Sequence, residues 1–260
     1  MIKTKTMKSS FNIGKSGAQG VADMTGYLRH MEQRMVRMVG EPGVLGRWME
    51  TLFPTEQVAY VWALYRIGAL RDGRTVFPYV NRKGYTVDGK IMAYGPDGHR
   101  IKDWKTSDEG QQVNESTGQQ EALEYLKYKS VSWLHALDHL ERPLALPLFG
   151  EHLTDTLPFA PLCLVESEKT ALMAKLWRRD CTWLATGGKS HFTAEHLHVL
   201  SGRSVIVWPD ADAIDEWMER AAALGPALDI DFRFPSAYVT RIREGPPKDD
   251  LADLIEKQFT

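Results

Sequence analysis

Two apolar runs that end in carboxylates, Leu162-Cys163-Leu164-Val165-Glu166 and Ser204-Val205-Ile206-Val207-Trp208-Pro209-Asp210-Ala211-Asp212, carry the reading of this chain. Short uninterrupted apolar runs of this kind belong to strands buried on both faces, the mark of a parallel sheet covered by helices. Two more fall in the same rhythm, Thr182-Trp183-Leu184-Ala185 and Asp229-Ile230-Asp231-Phe232-Arg233-Phe234. Helical patterns are expected between them at about 168–179, 194–200 and 213–224, with a last helix from about Asp249. The repeat of about 20 to 25 residues is that of a strand-helix-strand unit. An α/β fold with a C-terminal parallel sheet and flanking helices over residues 158–260 follows.

In such a sheet, ligands sit at the carboxyl ends of the strands. Glu166 ends the first strand, and Asp210 and Asp212 follow the third, so three carboxylates are expected at one edge. Clustered carboxylates repel one another unless a cation or a proton neutralises them, and hard oxygen donors suit Mg2+ or Mn2+. Lys248-Asp249-Asp250-Leu251-Ala252-Asp253 brings Asp250 as a further metal ligand. A bland alternative stands beside this one, because Asp212, Asp250 and Asp253 also suit helix N-termini. Thr186-Gly187-Gly188 lets backbone approach a phosphate or makes a tight turn, and Lys169, at a helix start, can meet a phosphate or pair with an acid.

Upstream of this unit the texture differs. Residues 1–20 read as a flexible basic arm rich in Lys, Ser and Gly. Met24, Leu28, Met31, Met35 and Met38 have helical spacing, predicting a helix from Val21 to Val39, and Pro54 opens a second that ends at Gly68. Arg74–Val80, Tyr85–Val87 and Lys90–Tyr94 read as short antiparallel strands separated by turns. Residues 105–120 read as a polar loop, and Glu121–Leu140 as a helix. Residues 21–150 thus form a smaller mixed α/β subdomain with antiparallel strands and N-terminal helices.

The chain has 260 residues, 43% of them hydrophobic and 25% charged, which excludes disordered, collagen-like and disulfide-scaffold classes. Its two cysteines, Cys163 and Cys181, lie in apolar surroundings and read as buried thiols of a cytoplasmic protein. Neither a secretory signal nor a membrane span is expected. Net charge is −2, yet residues 1–105 hold 17 Lys/Arg against 9 Asp/Glu, while residues 151–260 hold 12 against 18. A basic front half suits a polyanion, and an acidic back half suits a metal site or a solvated surface. Arg82, Lys83, Lys90 and Arg100 are the candidate nucleic-acid track, interleaved with Tyr79, Tyr85 and Tyr94, which serve as stacking platforms or as packing.

Taken together, Leu164–Ala171, Ala185–Gly188, Val205–Asp212 and Lys248–Leu254 resemble, in order and spacing, the Toprim domain of bacterial primases, topoisomerases and some nucleases. With Tyr65–Gly68, Gly89–Tyr94 and Phe149–Leu153 added, the chain is similar to Toprim-containing, primase-like proteins of bacterial mobile elements. The resemblance implies Glu166, Asp210 and Asp212 as catalytic metal ligands. It implies Lys169, Gly187, Gly188 and Lys248 as nucleotide or phosphate contacts. Implied too are single-stranded DNA and nucleoside triphosphates as substrates, and a helicase or other replication protein as partner. Ser167 stands where the family usually has Gly, and Thr170 where many members carry an acid. Two cysteines are too few for the zinc module that opens many primases, so no zinc is expected.

Three functions stay open on these residues. The first is a primase-like nucleotidyltransferase, the second a nuclease on the same site with Glu168, His191 or Glu166 as base, and the third a binding module without chemistry. Gly188-Lys189-Ser190 and Gly14-Lys15-Ser16 lack the upstream glycine of a phosphate-binding loop. His191, His196 and His198 read as surface or core histidines.

Overall fold

The structure, a computed structural model, describes residues 17–40, 42–101, 105–106, 112–113, 131–141 and 145–259. Three helices open it: α1 (Gly17–Val36), α2 (Gly43–Leu52) and α3 (Thr55–Leu64). An antiparallel sheet follows from β1 (Gly68–Ala69), β2 (Thr75–Val80), β3 (Thr86–Met92) and β6 (Val131–Trp133), in the order β1-β2-β3-β6. Between β3 and β6, β4 (Lys105–Thr106) pairs with β5 (Gln112–Val113) as a separate two-stranded ladder. Short helices α4 (Leu134–Leu137) and α5 (Leu153–Thr156) lead into the second sheet.

That sheet is parallel, with β7 (Leu162–Val165), β8 (Thr182–Ala185), β9 (Ser204–Val207) and β10 (Asp231–Arg233) in the order β10-β9-β7-β8. Its helices are α6 (Glu168–Trp177), α7 (Ala194–Leu197), α8 (Ile214–Leu228), α9 (Ser236–Glu244) and α10 (Leu251–Glu256). The predicted fold class is therefore what forms, a mixed α/β chain with an antiparallel sheet followed by a parallel one with flanking helices. Among the described residues, no helix is long and apolar enough to cross a membrane.

Local corrections have local causes. The strand readings at 85–87 and 90–94 merge into one strand, because Asp88 is not in a turn. Its buried carboxylate accepts from Gly89 N (2.8 Å), His135 N (3.1 Å) and His135 Nδ1 (2.5 Å), while Leu134 packs over Gly89. That same contact makes Val131–Trp133 a strand where a helix to Leu140 was expected; residues 121–130 and most of 105–120 lie outside the described residues. Helix α1 begins at Gly17, within the expected basic arm, of which residues 1–16 lie outside the described residues. The helix from Pro54 stops at Leu64, so that Gly68 can pair in β1, and α2 and α9 were not anticipated. Helix α2 is short and carries two glycines, which weaken any periodic signal.

The core joins the two sheets. Met31, Met35, Val76, Ile91 and Leu134 fill the outer side of the antiparallel sheet. On its inner side Phe77, Tyr79 and Met92 share one apolar cluster with Tyr65 of the α3 C-terminus and with Cys163, Val165 and Trp183 of the parallel sheet. Alternate residues of the same parallel strands, Leu162, Leu164 and Leu184, face the opposite cluster under Phe192 and Trp217. Both faces of the parallel sheet are thus buried, as its unbroken apolar runs require.

Phe149 is the hinge point of this packing. Its N–H donates to Ala185 O (3.0 Å) and its C=O accepts from Ala185 N (3.1 Å), extending the parallel sheet at β8. Its ring stacks on Tyr65 at 5.2 Å and meets Phe77 edge-on at 6.0 Å. Gly150 follows at φ +81°, where a Cβ would lie 2.8 Å from Trp183 O and 2.9 Å from the Tyr65 ring. Backbone strain and overpacking therefore act together in Gly150→Ala, which should lower unfolding free energy by about 2 to 4 kcal/mol in urea titrations. A change below about 0.5 kcal/mol would contradict this account.

Candidate active site at the carboxyl edge of the parallel sheet

Each acidic side chain reaches the edge by a different route. Glu166 leaves β7 just before Ser167 caps α6, where the Ser167 side chain accepts from Thr170 N (3.1 Å). Asp210 and Asp212 follow β9; Ala213 N donates to Asp210 O (2.9 Å) and Ala211 N to Asp249 O (3.0 Å), tying that turn to the approach of α10. Asp250 caps α10. Its Oδ1 accepts from Asp253 N (3.0 Å) and its Oδ2 from the Thr170 hydroxyl (2.7 Å). Thr170, in the position where the resembling family often carries an acid, thus acts as a donor to Asp250.

The electrostatics are those of anions held together. Burial, followed by the carboxylates of Asp250, Glu166 and Asp212, pushes the Asp210 carboxyl up to about 9. Burial and Asp212 raise Glu166 as well, against the lowering effect of the Lys189 N–H and ammonium. Burial and Asp253 raise Asp250, which the Thr170 hydroxyl partly relieves. Two buried carboxylate oxygens, Glu166 Oε2 and Asp210 Oδ1, accept no hydrogen bond from the protein. Unsatisfied buried acceptors next to one another are costly and suit a cation in kind. Among the described residues, however, no three His, Cys, Asp or Glu side chains stand close enough together to hold an ion as they are placed.

A cleft of about 290 Å3 opens between the sheets beside Glu166. The parallel half lines it with Glu166, Lys169, Gly187, Gly188 and Asp250, the antiparallel half with Lys90, His99 and Arg100. Asp210, Asp212 and Lys248 do not line it, and Lys248 is exposed in the turn before α10. Arg82 and Lys83 are exposed in the β2–β3 turn, where Arg82 pairs with Asp155 at 2.5 Å. Lys169 donates to Gly98 O (2.8 Å) and lies over the Trp48 ring at 4.6 Å, which fixes the 95–100 turn above the cleft. Lys90 is paired with Glu168 at 3.0 Å. Tyr79 and Tyr94 are buried and belong to the packing, while Tyr85 is exposed.

One residue that sequence reasoning gave no role, Lys189, also stands here. Lys189 reaches the Asp212 carbonyl at 2.5 Å and Glu216 at 3.4 Å, placing a cation beside the carboxylates. Its one signal was the Gly188-Lys189-Ser190 tripeptide, which fails as a phosphate loop but leaves a lysine after two glycines. His191 and His196 stack on each other at 4.9 Å next to this loop.

Fold and edge together define a two-sheet α/β protein with an acidic cluster at the carboxyl ends of its parallel strands. The chain belongs to the family described as "Domain of unknown function (DUF6371)", whose model matches residues 44–211. No curated protein matches it in sequence. Among solved structures it is similar to the DnaG primase catalytic domain bound to ssDNA, with 14% identity over 91% of this chain and 76% of that one and a TM-score of 0.49. It is similar to the RNA polymerase domain of Mycobacterium tuberculosis primase DnaG, with 14% identity over 92% and 78% and a TM-score of 0.46. The primase fragment of the bacteriophage T7 primase-helicase protein gives 14% identity over 77% of this chain and 66% of that one, with a TM-score of 0.46.

The raised Asp210 carboxyl sets a sign for stability. Between its ordinary value of 3.8 and about 9 the folded chain binds more protons than the unfolded chain, so the metal-free protein should lose stability as pH rises through that window. Asp210→Asn should therefore melt higher than the parent at neutral pH in EDTA and show a flatter decline up to pH 9. Equal pH profiles for the two proteins would refute the clustering.

Proposed function

We propose that the chain is a primase-like nucleotidyltransferase that works on single-stranded nucleic acid at this acidic edge. The reading is carried by the two partnerless buried oxygens, Glu166 Oε2 and Asp210 Oδ1, at the ends of adjacent parallel strands. A divalent cation, Mg2+ or Mn2+, held by Glu166, Asp210 and Asp212 would neutralise a triphosphate and lower the pKa of an attacking 3′-hydroxyl. Asp250, with one oxygen engaged by Thr170 of α6 and the other by Asp253 N, serves on this reading to join α6 to α10 rather than as a full ligand.

The chain's own residues do the rest. Gly187 and Gly188 give close backbone approach at the cleft wall, and Lys169 stands where a phosphate would enter, with Lys248 further out. Lys189, beside Asp212, adds a counter-charge for a polyphosphate. Arg100 and the exposed Lys83 belong to the basic half that a template backbone would follow, with a salt dependence set by the number of phosphates met. Nucleoside triphosphates, single-stranded DNA and a helicase or other replication protein are the proposed substrates and partner, in the cytoplasm of a cell carrying a mobile element.

The test is a denaturing gel. Purified protein and the Asp210→Asn/Asp212→Asn variant each receive end-labelled single-stranded DNA, all nucleoside triphosphates, and Mg2+ or Mn2+. New or longer strands that fall about 100-fold or more in the variant are expected. Metal-dependent shortening would replace the reading with a nuclease. An unchanged strand with metal-independent binding would replace it with a binding module.

A further inference from the structure

In the wall of the cleft, four groups brought together by the two sheets meet largely out of water. Glu168 of α6 has 1% of its side chain exposed and Lys90 of β3 has 12%. Lys90 Nζ lies 3.0 Å from Glu168 Oε1 and 3.2 Å from Oε2, and it also donates to Gly187 O at 3.0 Å. The Tyr79 hydroxyl of β2 donates to the same Glu168 Oε1. A Cβ at Gly187 would collide with that hydroxyl and lie 3.2 Å from Glu168 Oε1, so the approach is a close one. A carboxylate this deep is tolerated only while its partners stay, and the loss of one partner strands the other charge.

Lys90 can therefore not leave Glu168 for a template phosphate without baring a buried anion. Glu168 stands two residues after Glu166, and Gly187, whose carbonyl accepts from Lys90, donates its own N–H to Glu166 O at 2.9 Å. The main chain at Glu166 is thus braced through the Glu168 side chain, two residues on, and through the Gly187 turn, both held by Lys90 of the antiparallel sheet. We infer that Glu168 is a positioning residue: with Tyr79 it holds Lys90 against the Gly187 carbonyl, so that the antiparallel sheet sets the backbone around Glu166 and the glycine turn. Lys90 is then a structural cation of the seam and not part of a nucleic-acid track. This inference does not rest on the proposed reaction.

A double-mutant cycle tests it with Lys90→Met, Glu168→Gln and the two combined. Lys90→Met alone should be the least stable, and adding Glu168→Gln should restore its unfolding equilibrium constant by about tenfold or more, because the stranded charge is gone. If Lys90→Met fails to fold while the double variant folds, the same coupling is shown. In Glu168→Gln, which keeps the side-chain shape, amide exchange at Gly187 and Gly188 should quicken more than exchange in the α8 helix, a local effect that plain destabilisation lacks. Equal costs of Lys90→Met in the parent and in the Glu168→Gln background, or uniform exchange, would overturn the inference.

Binding of a fluorescent oligothymidylate separates the two roles of Lys90. The double variant should keep the salt slope of the parent, whereas a phosphate contact would reduce that slope by about 1. A reduced slope overturns the inference. If the parent binds no oligothymidylate at all, the proposed function fails, and the stability cycle and exchange still decide the role of Glu168.

Discussion

The backbone pairing of Phe149 with Ala185 is the constraint on which the molecule turns. One residue adds to the edge of the parallel sheet while its ring fills the space against Tyr65 and Phe77, and the next residue must be glycine to pass Trp183. A buried aromatic of this size contributes about 2 to 3 kcal/mol through the area it removes from water. More consequential is its place, because the same few atoms fix the distance between the sheets and hence the width of the cleft.

The cleft then divides charge into two kinds. Lys90 and Glu168 neutralise each other in its wall, with each charge met by a partner, which offsets the cost of their burial. Glu166 and Asp210, at the carboxyl edge of the parallel strands, retain oxygens that accept no hydrogen bond from the protein, and burial together with neighbouring carboxylates displaces their carboxyls upward. Natural structures rarely keep partnerless buried acceptors without a use for them. A paired charge inside the seam and carboxylates without protein partners at the sheet edge have opposite consequences, although by type alone they look alike.

Much of this was legible in the chain. The parallel strands were readable because burial on both faces leaves unbroken apolar runs, and Glu166, Asp210 and Asp212 were readable because they stop those runs. The hairpin of β2 and β3 was readable from its Asn81–Gly84 turn, which closes with Gly84 N to Asn81 O at 2.8 Å. Asp88-Gly89 misled because a buried aspartate inside a strand looks like a turn until His135, 47 residues on, supplies its partner. Lys90 looked like part of a basic surface for the same reason, since Glu168 lies 78 residues away.

The existence of the parallel strands and the end at which carboxylates gather were legible in local pattern, since side-chain period and strand direction are properties of neighbouring residues; the order β10-β9-β7-β8 was not. Which charges are spent on one another was settled only by folding. Ion pairs and buried hydrogen bonds depend on distance through space, and no spacing along the chain records that Tyr79, Lys90, Glu168 and Gly187 meet at a single point. The sequence named the acids at the edge; the packing of one sheet on the other determined that Glu168 is matched by Lys90 while Glu166 and Asp210 keep oxygens without protein partners.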